Sequence, residues 1–222
     1  MKNKTIFAFD FSMSKPALCV YIDKKIYFYC FPTDIDKVSY DKLVNNNVNV
    51  YNRELKPINK NSFNSHELVL EHIQRANDLS NKIIYVINSL LKKFEIENKD
   101  VIISTEGLSF ASKGDAILDL SGYKYVLLSK LKELGFNNIK TYSPITIKSI
   151  AGCTKKNEYG KLSMIEKIRE ENSNIHTFID CLKNEPDKLK KKTAFVKCVD
   201  DLVDAYWCLK TTIEKENLNI IL

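Results

Sequence analysis

The hydrophobic pattern at the start of the chain consists of three short apolar runs. They cover residues 4–10, 17–22 and 26–31, and polar joins such as Asp23-Lys24-Lys25 separate them. Short runs rich in β-branched and aromatic side chains predict β-strands, and the short polar joins predict antiparallel pairing. The start of the chain therefore predicts a three-stranded antiparallel meander.

Beyond this meander, helical and strand patterns alternate. Apolar residues recur at helical spacing over 65–94 and 115–134, which predicts amphipathic helices. Each of these stretches is followed by a predicted strand: a central strand at 101–106 and a short strand at 139–142. Further helices are predicted to begin at Ser143-Pro144 and to cover 160–171, 175–183 and 194–214.

This order of elements predicts an α/β fold built on a mixed five-stranded sheet, with three antiparallel strands followed by parallel β-α units and helices on the faces. Residues 33–64 are polar and lack periodicity, so they are predicted to form a long loop or insertion. A second insertion is predicted over 170–194. The length of 222 residues favours a single domain, 1–222, that contains both insertions.

Composition excludes few classes of protein. No apolar run is long enough to cross a membrane, and Asp10 interrupts the first apolar run too early for a signal peptide. The six cysteines form no closely spaced pair typical of zinc sites. We therefore expect free thiols and a cytoplasmic or other intracellular location, without secretion or a membrane partner.

Positive charge is concentrated in one part of the chain. The formal net charge is +6, and residues 140–192, with 12 basic and 7 acidic side chains, hold five of these charges. This distribution is compatible with a polyanionic partner, although many proteins are equally basic. Lys188–Lys192, a basic run, is as compatible with a solvated loop as with a DNA contact.

Carboxylates occupy positions at which buried elements end. Asp10 and Glu106 each close an apolar strand, and Asp201 and Asp204 lie three residues apart among apolar helix positions. Such carboxylates repel one another, and a hard divalent cation relieves the repulsion. Two such ions can activate water and stabilise the leaving oxygen in phosphodiester hydrolysis. Taken singly, each residue is more typical of a turn, a helix cap or a solvated face, and Asp200 adds a second possible helix register.

The four carboxylates fall within motifs whose order is that of a known enzyme family. Phe9–Ser12 is a strand end with Asp and a turn residue, and Glu106–Lys113 is a strand-terminal Glu followed by an aromatic and a basic residue. Ser143–Gly152 supplies a Pro, a Lys and a Gly, with Lys161 downstream, and Asp201–Ala205 reads Asp-x-x-Asp-Ala. In these motifs the chain resembles the RuvC-type Holliday junction resolvases of the RNase H-like superfamily.

The resemblance implies an RNase H-like fold and a homodimer that cuts opposing strands of four-way DNA junctions with Mg²⁺ or Mn²⁺. Two ions per active site would then be held by four carboxylates, namely Asp10, Glu106, Asp201 and Asp204. The motif lysines Lys148 and Lys161 would contact the scissile phosphate or its neighbour as point charges.

The same resemblance implies further DNA contacts. Phe110 loosely matches an aromatic residue that stacks on an unpaired base, although it lies one residue later than the usual pattern and is equally compatible with anchoring its loop. The residues expected to contact DNA are Phe110, Lys113, Lys148, Lys155, Lys156 and Lys161.

Three functions remain compatible with these motifs. The first is a Mg²⁺-dependent junction endonuclease active in recombination, replication, repair or genome processing. The second is an RNase H-like nuclease for other branched DNA or RNA–DNA hybrids, and the third is a junction-binding protein without turnover. The composition, rich in Lys, Asn and Ile, and the two insertions favour a phage or a large DNA virus as the source. The resemblance then implies a location at sites of DNA processing, in the host cell if the source is viral.

Overall fold

A computed structural model describes residues 4–53, 55, 65–108, 115–154, 161–171 and 196–222. The strands are β1 (Thr5–Asp10), β2 (Ala17–Ile22), β3 (Lys25–Cys30), β4 (Val48–Val50), β5 (Val101–Glu106) and β6 (Ile139–Tyr142). The helices are α1 (Lys37–Asn45), α2 (Ser65–Phe94), α3 (Asp115–Glu133), α4 (Pro144–Ile150), α5 (Lys161–Glu171) and α6 (Val199–Lys215), with a short 3-10 turn at Asn98–Asp100.

The strands form one mixed sheet in the order β4-β3-β2-β1-β5-β6. Strands β1, β2 and β3 pair antiparallel, whereas β5 pairs parallel with both β1 and β6, and β4 pairs parallel with β3. The predicted α/β fold with its meander and parallel β-α units is thus confirmed. The described residues contain six strands rather than the five predicted from the sequence.

The additional strand lies in the segment that was predicted to be a loop, residues 33–64. Within it, Asp36 caps α1 by accepting a hydrogen bond from the backbone N–H of Ser39 at 2.8 Å. Leu43 and Val48 are buried and fasten α1 and β4 to the edge of the sheet. Elements of nine and three residues carry too few apolar positions to show a period, which is why the pattern did not reveal them.

The sheet has a hydrophobic core on each face, because successive side chains of a strand point to opposite sides. Helix α6 covers one face and packs on β1, β2 and β5. Helices α2 and α3 pack together and their buried residues form the core of the other face. The site described below lies on the first face, at the carboxyl ends of β1 and β5, which we call the carboxyl edge of the sheet.

Helix boundaries follow local capping. Ser143 caps α4, as predicted, by accepting a hydrogen bond from Thr146 N at 3.1 Å, with Pro144 as the first helical residue. Helix α6 begins at Val199 and not at residue 194, because Cys198 adopts a left-handed conformation with φ of 75°. A residue in the left-handed conformation cannot continue a right-handed helix. The predicted helix at 175–183 lies outside the described residues.

The five cysteines in the described part of the chain are buried thiols that form no disulfide there, as predicted. Among the helices that the structure describes, none is both long and apolar enough to cross a membrane. The division of the chain into one domain with two insertions stays a prediction, and the basic run at 188–192 lies outside the described residues.

Candidate active site at the carboxyl edge of the sheet

Asp10 and Glu106 end neighbouring parallel strands. The last paired residues of β1 and β5 are Phe9 and Thr105, so the two acids follow side by side at the same edge. The carboxyl ends of parallel strands meet at one edge of a sheet, which is where α/β proteins place ligands. The strand register therefore brings together two carboxylates that lie far apart in the sequence.

Both acids point toward α6. Along β1, Ile6 and Ala8 belong to the core beneath α6, whereas Phe7 and Phe9 belong to the opposite core. Asp10 continues the first set by alternation, and Glu106 continues the corresponding set of β5, which contains Ile102. Each acid is half-buried.

Helix α6 is fixed to the sheet by polar contacts beneath it. The hydroxyl of Thr212 donates a hydrogen bond to Ser104 Oγ on β5 at 2.6 Å, and Ser104 Oγ lies 3.1 Å from Cys208 Sγ. Cys208 lies within electrostatic reach of Asp10 and Glu106, which contribute, after burial, to raising the pKa of its thiol to about 12. This turn of α6 therefore lies next to both strand-terminal acids.

Asp201 and Asp204 lie on the preceding turns of the same helix. Asp201 is 4% exposed and lies within electrostatic reach of Cys30 on β3. Cys30 pairs with Ala17 on β2, and Ala17 pairs with Asp10 on β1, so Asp201 lies near the end of β1. Asp204 is half-buried and falls between Asp201 and Cys208 along the helix. With 3.6 residues per turn, Asp201, Asp204 and Cys208 share one side of α6, the side that faces the edge of the sheet.

Asp201 is held by a lysine from the turn between β1 and β2. The Nζ atom of Lys15 lies 3.2 Å from Asp201 Oδ2 and donates a hydrogen bond to Asp200 Oδ1 at 3.4 Å. Burial, followed by the neighbouring Asp200, raises the pKa of Asp201 to about 6, although Lys15 opposes the rise. Burial lowers the pKa of Lys15, but the two carboxylates outweigh it, and the net pKa is raised.

Two further lysines surround Glu106. The Nζ atom of Lys124 on α3 donates a short hydrogen bond to the main-chain oxygen of Glu106. Burial raises the pKa of Glu106, and the positive charges of Lys148 and Lys124 oppose that rise. Burial lowers the pKa of Lys124, against the attraction of Cys208, Glu106 and Asp10. The carboxyl edge thus carries acidic and basic groups that interact electrostatically.

The donor chemistry of this edge fits a hard divalent cation. Its acids supply carboxylate oxygens, the ligands that Mg²⁺ and Mn²⁺ prefer. Asp201 Oδ2 is buried, and Lys15 Nζ lies 3.2 Å from it. In the described part of the chain, however, no three acidic, histidine or cysteine side chains are already grouped so as to hold an ion. Coordination by the predicted set therefore requires side-chain adjustment.

Comparison with known proteins identifies the fold. No family model matches the chain, and neither does any curated protein sequence. Among solved structures, Thermus thermophilus RuvC in complex with a Holliday junction substrate matches with a TM-score of 0.51 and 10% sequence identity, over 96% of each chain. A second structure of T. thermophilus RuvC matches with a TM-score of 0.50, 10% identity and the same coverage. The chain has the RuvC fold.

The RuvC fold confirms the architecture that the motifs implied, but the predicted site residues stay predictions. Asp10, Glu106, Asp201, Asp204 and Lys148 lie at or near the carboxyl edge, as the geometry above describes. Lys161 is the first residue of α5, and only its backbone is described. The predicted DNA contacts outside the described residues are Phe110, Lys113, Lys155 and Lys156.

The structure also has two lysines at this edge, Lys15 and Lys124, that were not predicted from the sequence. Lys124 has a signal, because Leu120, Leu127 and Leu131 share its side of α3, and a lysine there interrupts an apolar stripe. Lys15 has no comparable signal. It meets a carboxylate 185 positions away only because β1, β2 and α6 pack together.

Proposed function

We propose that the chain is a metal-dependent endonuclease that hydrolyses phosphodiester bonds in branched DNA, chiefly four-way junctions. The observation that supports this most directly is the placement of Asp10 and Glu106 at neighbouring strand ends beneath Asp201 and Asp204. Because the fold is that of RuvC, and one RuvC structure holds a Holliday junction substrate, this substrate class is the first to test.

Asp10, Glu106, Asp201 and Asp204 would hold two Mg²⁺ or Mn²⁺ ions. When bound, these ions supply an activated water and charge stabilisation for the leaving oxygen. The chain's own residues position the substrate. Lys148 lies on α4, close enough to Glu106 to oppose the rise in its pKa, and so presents positive charge beside the carboxylates, where a phosphate would have to bind.

The proposed substrate surface extends from this edge through the basic residues of the third motif. Lys161, Lys155 and Lys156 would add phosphate contacts, and Phe110 with Lys113 would contact DNA near the branch point. Each phosphate contact releases counterions, so binding should weaken steeply with added salt.

A homodimer accounts for paired cleavage. Each chain carries one set of the four carboxylates, and a four-way junction resolved by opposing cuts needs two sites related by symmetry. Light scattering of the purified chain measures this state. A dimer mass is expected, and a monomer mass on junction DNA would contradict it.

The activity is tested with labelled four-way junctions, flaps, forks, RNA–DNA hybrids and linear duplex in Mg²⁺. We expect Asp204→Asn to abolish most junction cleavage while junction binding stays near the parental level. Glu214→Gln, an exposed acid on the same helix, is the matched control and should cleave normally. Equal loss of binding and cleavage in Asp204→Asn would instead assign that residue a structural role.

The panel also separates the competing functions. Cleavage confined to flaps, forks or hybrids would support the second nuclease reading. Metal-dependent junction binding without any cleavage would support a binding protein.

A further inference from the structure

Lys124 is an unusual charge, because it is buried at the carboxyl edge although its helix packs on the opposite face of the sheet. Lys124 is 4% exposed, and its helix, α3, packs chiefly against α2. A buried ammonium is costly unless hydrogen bonds and opposite charges compensate it. Some feature of the edge must therefore stabilise it.

Part of this compensation comes from the acidic site, although burial still lowers the pKa of Lys124 against the attraction of Cys208, Glu106 and Asp10. Glu106 and Asp10 both attract the Lys124 ammonium, and the main-chain oxygen of Glu106 accepts its hydrogen bond. Because that hydrogen bond goes to the main chain, Lys124 supplies positive charge to the site without using a carboxylate oxygen for it. The carboxylates keep their capacity to bind a cation.

Lys15 differs from Lys124 both in the atoms that it contacts and in its exposure. It contacts the carboxylates of Asp200 and Asp201 directly, and its side chain is 31% exposed, so it has room to move away. Lys124 lacks that freedom because it is buried. Of the two lysines, only Lys124 is placed to act as a permanent part of the site.

We propose that Lys124 is a fixed counter-ion of the acidic site. It is a positioning residue that holds Asp10 and Glu106 close together before a divalent ion binds. Once the ion is bound, the positive charge of Lys124 repels it. The inference rests on the proposed function, since it takes these acids as ligands. Without Lys124 the carboxylates repel each other more strongly in the metal-free protein, and a divalent ion gains more by binding.

The test is a Ca²⁺ titration of the intact protein followed by thermal unfolding, because Ca²⁺ probes hard oxygen ligands independently of cleavage. Lys124→Met removes the charge and the donor, Lys124→Gln removes the charge and keeps a donor, and Lys124→Arg keeps both. Lys132→Met, an exposed lysine on the same helix, is the matched control.

Both neutral variants should gain more stability than the parent when Ca²⁺ is added, and they should need about tenfold less Ca²⁺ for half-saturation. Lys124→Arg and Lys132→Met should respond as the parent does. If Lys124→Met fails to fold, the comparison of Lys124→Gln with Lys124→Arg decides the question alone.

Two results overturn the inference and they are distinguishable. If the parent responds to Ca²⁺ and the neutral variants show an equal or weaker response, Lys124 is only a structural residue, and the metal site stands. If the parent itself shows no response, the proposed metal site fails, and the inference fails with it.

Discussion

Asp201→Asn should make the metal-free protein more stable at neutral pH. The carboxyl group is buried, with its side chain 6% exposed, and its pKa rises from 3.8 in the unfolded chain to about 6. Burial is the largest cause of the shift, followed by repulsion from Asp200. An ionised Asp201 is therefore a cost to the fold, and an uncharged isostere removes that cost.

The magnitude follows from proton linkage. Between pH 3.8 and about 6 the folded state binds more protons at Asp201 than the unfolded state does, so stability falls as pH rises through this window. One pKa unit corresponds to about 1.4 kcal/mol, which gives a cost of about 3 kcal/mol above the window. The shift already includes the attraction of Lys15, so no separate correction for the lost ion pair is needed.

The assay is urea and thermal unfolding in a chelator, from about pH 4 to about pH 8. At the upper end Asp201→Asn should raise the free energy of unfolding by about 2 to 3 kcal/mol and the melting temperature by roughly 5 to 10 °C. Toward the lower end the difference should vanish. Asp41→Asn, an exposed acid on α1, is the matched control and should follow the parent throughout.

A variant that is less stable than the parent at neutral pH, or whose gain is the same at every pH, would refute this reasoning. The first result would mean that the Lys15–Asp201 ion pair outweighs desolvation. The second would mean that the gain has a cause other than ionisation. A confirmed gain would mark the site as one where stability is given up, as is common where charged groups are gathered for chemistry.

Other variants probe the packing and the chemistry. Trp207→Phe should lower the free energy of unfolding by about 1 to 3 kcal/mol, because it leaves the Met164 carbonyl, now bonded at 3.0 Å, without its buried donor; unchanged denaturation curves would contradict this. Asp36→Ala should cost about 1 kcal/mol by removing the α1 cap at Ser39, as measured by urea unfolding, and a neutral effect would show that the cap is dispensable. Lys161→Ala should lower the single-turnover cleavage rate more than junction affinity, and weaker binding with unchanged turnover would argue against a role in the transition state.

The sequence pattern predicted most of the fold because most elements here carry their own signal. The runs that became β1, β2, β3 and β5 are mostly apolar, and the helical periods of α2 and α3 are long. The segment 33–64 lacked such a signal, since α1 and β4 each bury few residues. Strand β4 depends on its pairing with β3, and α1 packs on β4.

The candidate site was predictable to the extent that its acids end elements. Asp10 and Glu106 stand out because they close apolar strands, and Asp201 stands out because it lies among apolar helix positions. The lysines depend on tertiary packing, because Lys15 and Lys124 approach the acids from separate elements. Their effect on the carboxylates could not follow from spacing along the chain.

The carboxyl edge of the sheet is proposed above to be a metal-dependent nuclease site. Cleavage of a labelled four-way junction by the parent and by Asp10→Asn, with and without Mg²⁺, tests it most directly. We predict Mg²⁺-dependent cleavage by the parent, with the linear duplex left intact, and loss of cleavage in a folded Asp10→Asn that still binds the junction. Cleavage by Asp10→Asn at the parental rate, or by the parent in a chelator, would contradict the claim.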